Sequence, residues 1–100
     1  MIRHVVLFKF HDGVDYGDPR FLRAEEEIHD LPNHVPEILQ WECGRNVAER
    51  NIAYDYAAIG GFEDRDAVEA YLYHPVHVRG VDSWREFSTW VMADFETPPQ

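Results

Sequence analysis

Residues Ile2–Phe10 read IRHVVLFKF, and the alternation in this stretch is apolar in both registers. Ile2, Val6, Phe8 and Phe10 share one face, and Val5 and Leu7 share the other. Successive side chains on a strand point to opposite faces, so two apolar registers describe a strand covered on both sides. The rest of the chain has to supply both covers.

One cover is legible directly downstream. Asp18 followed by Pro19 is a helix start, a capping carboxylate before a proline at the first helical position. Phe21, Ala24, Ile28 and Leu31 then fall on one stripe, and Pro32 ends the helix. A second strand is expected over 38–47 (ILQWECGRNV), with Gly44 as a candidate bulge, and a third over 54–62 (YDYAAIGGF). Asp64 or Asp66 caps a second helix with Ala67, Val68, Tyr71 and Leu72 inward. Pro75 pushes His74 out of helical geometry and opens a short helical segment towards Phe87. Residues 89–95 (TWVMADF) form the last strand.

The order β-α-β-β-α-β predicts an α+β, ferredoxin-like fold with a four-stranded antiparallel sheet and both helices on one face. It fills one domain over residues 1–96, with 97–100 a loose tail. The second cover is still missing. Val5, Leu7, Ala57, Ile59, Trp90 and Met92 are expected on the uncovered face, a larger apolar patch than soluble monomers tolerate. A second copy packed sheet to sheet is the simplest cover, giving a homodimer.

Composition narrows the function. Nineteen acidic against nine basic residues give a formal charge of −10, which repels nucleic acid and anionic membranes, so neither is expected as a partner. There is no secretory pattern, no membrane-length apolar run and one cysteine, Cys43, which together predict a soluble cytoplasmic protein.

Chemistry concentrates in YLYHPVH, Tyr71–His77. Tyr71 lies on the inward stripe of the second helix, and His77 lies just past the proline turn. The sheet register expected beneath them carries His4, Val6 and Phe8, then Tyr56, Ala58 and Gly60, then Val91 and Ala93. Ala58, Gly60 and Ala93 are small, and leave either close packing or a cavity.

The segments IRHVVLFKF, WECGRN, YDYAAIGGFED, AYLYHPVH and VMADFE together resemble the stress-responsive A/B barrel (Dabb) family, dimeric α/β barrels that include plant stress proteins and olivetolic acid cyclase. The likeness runs from Ile2 to Glu96, and Y-x-x-H-P-x-H is its most distinctive piece. It implies a dimeric α/β barrel and catalytic roles for Tyr71 and His77. His4, Val6, Phe8, Tyr56, Ala58 and Val91 are then the substrate-binding set. The implied activity is that of a cofactor-independent lyase or cyclase acting on a carbonyl compound. A histidine of the cyclase's third strand is Tyr56 here, so the likeness carries over a small-molecule pocket better than the cyclase substrate. A noncatalytic stress-responsive or ligand-binding protein, and a cofactor-independent monooxygenase, are the alternatives. No cofactor and no metal are expected, because two close histidines without a cysteine cluster or H-E-x-x-H pattern are weak evidence.

Plainer readings exist for each residue. Tyr71 can simply fill the core, and His77 can belong to a capped turn. His74 is expected to bond a helix-end carbonyl. Cys43 is expected to be a small buried hydrophobe, and Glu25–Glu27 a solvated face. Gly60–Gly61 marks a bulge or a close backbone approach.

Overall fold

A computed structural model describes residues 1–98. Strand β1 spans Ile2–Phe10, helix α1 Pro19–Asp30, and a single 3-10 turn Leu31–Asn33. Strands β2 (Gln40–Arg45) and β3 (Tyr56–Phe62) follow, then α2 (Arg65–Tyr73), α3 (Pro75–Arg85) and β4 (Ser88–Glu96). The fold is α+β and ferredoxin-like, with the antiparallel sheet ordered β2-β3-β1-β4. Of the expected tail, Thr97 and Pro98 carry no regular structure, though Thr97 donates from its backbone N–H and its hydroxyl to the Met1 oxygen at 2.9 and 3.2 Å, and 99–100 lie outside the described residues.

The helix starts are as expected. The Asp18 carboxylate accepts from the Arg20 backbone N–H at 2.9 Å, with Pro19 next in line. Strand β2 is shorter than its apolar run suggests, because Asn46 folds the chain away from it. The Asn46 side chain accepts from the Ala48 N–H and donates to the Ala48 carbonyl, both at 2.9 Å, an Asx-type turn that competes with the strand ladder. Pairing runs unbroken through Gly44↔Ala57, so there is no bulge there. Gly60 is instead a close approach: a Cβ on it would lie 3.0 Å from the Trp41 ring and 2.8 Å from that of Phe62.

Directly paired residues share a face, and this corrects the reading of β4. Val6 pairs with Met92, Phe8 with Trp90, and His4 with Asp94. Trp90 and Met92 therefore face the helices. Val91 and Ala93, expected there, pair with Leu7 and Val5 and face the opposite way. The open face consequently carries Leu7 and Ile59, each 39% exposed, and Val91 and Phe95, each 51% exposed. Beneath the helices the core is aromatic, with Phe21, Phe62 and Phe87 fully buried and Phe8 stacked on Trp84 at 4.1 Å between ring centroids.

Candidate active site

Three elements converge on one space. Strand β1 places His4, which is 3% exposed, on the helix side of the sheet. Helix α2 starts where the Asp64 carboxylate accepts from the Ala67 N–H at 2.9 Å, and its stripe buries Val68 and Tyr71. His74 then leaves the helical region at ψ 133°. Its ring does not bond a helix-end carbonyl as expected. Nδ1 accepts from the Val76 N–H at 3.1 Å and caps the next helix, with Pro75 following it. The carbonyl at the end of α2 is met by another ring, since His77 Nδ1 donates to the Leu72 oxygen at 3.0 Å.

The turn therefore stacks functional groups instead of dispersing them. The Tyr71 and His77 rings lie 4.2 Å apart between centroids, tilted by 47°. His4 meets Tyr71 edge-on at 5.4 Å. Behind His4, Nδ1 donates to the Asp94 carboxylate at 2.5 Å. A carbonyl or carboxylate can only accept here, so in both histidines the bonded nitrogen carries the hydrogen. In His77 that leaves Nε2 with its lone pair.

The protonation states are complementary. Burial lowers the His77 pKa below the ordinary imidazole value, the bond to Leu72 pushes back, and nearby His4 and His74 lower it further. Burial, then the charge of Asp94, raises the Tyr71 phenol. A neutral imidazole thus sits beside a phenol that keeps its proton.

Both groups line a partly open cavity of about 650 Å³ between the sheet and helices α1 and α3. Most of its surface is apolar, with Val6, Phe8, Ile28, Leu31, Trp84 and Trp90 in the wall. Such a size and lining suit a small organic ligand. Glu27, Asp30, Arg79 and Arg85 also contribute to its lining, and all four are exposed.

Of the residues expected at the site, His4, Val6, Phe8, Ala58, Tyr71 and His77 line this cavity. Tyr56 does not. It is 1% exposed, packed 5.1 Å from Trp84 and 5.7 Å from Phe21 between ring centroids, with its hydroxyl 3.3 Å from His29 Nε2. Val91 lies on the far side of the sheet. Sequence reasoning missed Asp94, Trp84, Trp90 and Met92. The α3 residues His77, Gly80, Val81 and Trp84 have helical i, i+3, i+4, i+7 spacing, a signal that would have found the last of that stripe. Cys43 is half-buried 3.3 Å from His29 Nδ1, and burial pushes its thiol pKa up, against a nucleophilic role. Among the described residues, no three His, Cys, Asp or Glu side chains are grouped to hold a metal ion.

The sequence pattern described as the Stress responsive A/B Barrel Domain matches residues 2–97. The uncharacterized Streptomyces coelicolor protein SCO4036 is 48% identical over 96 residues, covering 96% of this chain and 99% of that one. A dimeric ferredoxin-like protein of unknown function from Thermobifida fusca superposes with a TM-score of 0.84 at 24% identity, covering 96% of this chain and 90% of the other. A hydroxynitrile lyase from Passiflora edulis superposes with a TM-score of 0.80 at 17% identity, covering 98% and 96%, a likeness of fold alone.

Proposed function

The chain belongs to the Stress responsive A/B Barrel Domain family, and from that premise we propose that it is a homodimer acting on a small, largely apolar carbonyl compound as a cofactor-independent lyase or cyclase. One observation carries the reading: a neutral His77 and a protonated Tyr71 share one apolar cavity, their rings 4.2 Å apart. A carbon acid beside a carbonyl needs a base for its proton and a donor for the oxygen that becomes negative. His77 Nε2 takes the α-proton, and the Tyr71 hydroxyl donates to the developing enolate oxygen. In a cyclisation the carbanion carbon attacks a second carbonyl, one carbon–carbon bond forms, and His77 returns its proton to the new alkoxide. His4, held by Asp94, supports the Tyr71 ring and offers its other nitrogen to the substrate.

The homodimer follows from the open sheet face, where Leu7, Ile59, Val91 and Phe95 lie exposed. The dimeric state of the Thermobifida fusca protein supports it, and a sheet-to-sheet contact would cover these side chains.

The test is α-proton exchange. Small methyl ketones in deuterated buffer, followed by NMR, are expected to exchange faster with the wild type than with buffer alone. His77→Ala should bring the rate down to the buffer level and Tyr71→Phe should slow it by roughly 10²–10³-fold, both leaving the circular dichroism spectrum unchanged. Ketones that bind without accelerated exchange would instead identify a noncatalytic ligand-binding protein.

A further inference from the structure

Gly80 lies in the middle of α3, where a glycine weakens a helix relative to alanine. Its position explains what that weakness provides. His77 and Trp84 line the cavity one turn to either side, and Gly80 lines it between them. A Cβ built on Gly80 meets no described residue within 4 Å, whereas one on Gly60 would strike Trp41 and Phe62. The backbone at Gly80 has negative φ, so no left-handed conformation requires a glycine there. Neither backbone geometry nor close packing accounts for the residue. The space over it is open, and it lines the cavity beside His77.

We infer that Gly80 sets the size of the substrate. The apolar body of the ligand lies in the gap that the missing side chain leaves between His77 and Trp84, with its carbonyl at Tyr71 and His77. The selected class is then a ketone or acyl compound with an extended hydrocarbon or aryl arm. Phe8 and Trp90 complete an aromatic wall against that arm, packed 5.7 Å apart between ring centroids.

This inference rests on the carbonyl reading of the same site, and a homologous series separates the two. Linear 2-alkanones of rising length are titrated into the wild type, Gly80→Ala and Gly80→Leu. Affinity for the wild type should tighten about fourfold for each added methylene until the gap is full, then level off. Alanine should bring the plateau forward by about one carbon, and leucine by about the four carbons of its side chain. Both variants should melt at or above the wild-type temperature, since alanine and leucine are better helix formers than glycine. Alkanones that bind with the same plateau in all three proteins would overturn the role of Gly80 while leaving the carbonyl site standing. Alkanones that bind none of the three at any length would overturn both.

Discussion

His77 donates its Nδ1 hydrogen to the Leu72 carbonyl oxygen, 3.0 Å away, and this bond joins the end of α2 to the first turn of α3 across Pro75. It fixes the tautomer that leaves Nε2 free, and the surrounding burial lowers the ring's pKa from 6.5. Below about 6.5 the unfolded chain therefore binds more protons at this position than the folded one does. The contribution of His77 to stability is fully present above that pH and is lost as pH falls towards the folded-state value. Catalysis should keep its base further into acid than free imidazole would allow. Exchange rates and an NMR titration of His77 should share an acid limb centred below 6.5. A limb centred above it would remove His77 as the base.

Tyr71 offers a cleaner separation of chemistry from packing. Its ring is buried against Phe62 at 5.0 Å and His77 at 4.2 Å between centroids, and phenylalanine retains that packing. Its hydroxyl makes no hydrogen bond to another described residue, so removing it strands no partner. Tyr71→Phe should change stability by less than about 1 kcal/mol and slow turnover by roughly 10²–10³-fold, the range for a lost oxyanion donor. Chemical denaturation and exchange kinetics on one preparation measure both. A variant that turns over normally would reduce Tyr71 to a core residue.

Asp94 holds His4 from behind, and its carboxylate is 34% exposed while the imidazole is 4% exposed. Asp94→Asn keeps an oxygen able to accept from His4 Nδ1 but removes the charge. Its effect should fall on kcat more than on KM, by about tenfold or more, because Asp94 touches His4 and not the cavity's apolar wall. Asp94→Ala should cost more than Asp94→Asn if orientation matters as well as charge. Equal kinetics in all three proteins would leave the pair with a purely structural role.

These residues differ in how legible they were. Strand β1 declared itself because apolar residues fill both of its registers through Val5–Phe8, and Asp18-Pro19 announced α1 by capping chemistry alone. Strand β4 did not declare its register. Trp90 and Met92 are as apolar as Val91 and Ala93, so alternation carries no direction when both faces are buried or destined for a partner. Asp94 held the missing information, since a carboxylate in that strand needs a partner and His4 is the buried polar group across the sheet. Tyr56 was misplaced for a different reason. Its register was right, but the distance along the sheet carries it under Trp84 and Phe21, beyond the cavity. Sequence periodicity gives the face and says nothing of which helix lies above.

The corrected register makes a contrast that only the true pairing can produce. Val91 shares the open face with Leu7, its pairing partner on β1, whereas Met92 pairs with Val6 and lines the cavity. Each large apolar side chain buried at a dimer contact contributes about 1.5–3 kcal/mol, and a buried unpaired charge opposes association more strongly still. Leu7→Glu and Val91→Lys should therefore drive the protein to monomer in sedimentation velocity at micromolar concentration. Met92→Lys should sediment as the wild type does, yet weaken alkanone binding by placing an ammonium group in the apolar wall. A monomeric wild type would sink the homodimer, and dissociation by Met92→Lys but not by Val91→Lys would place the interface on the helix side of the sheet.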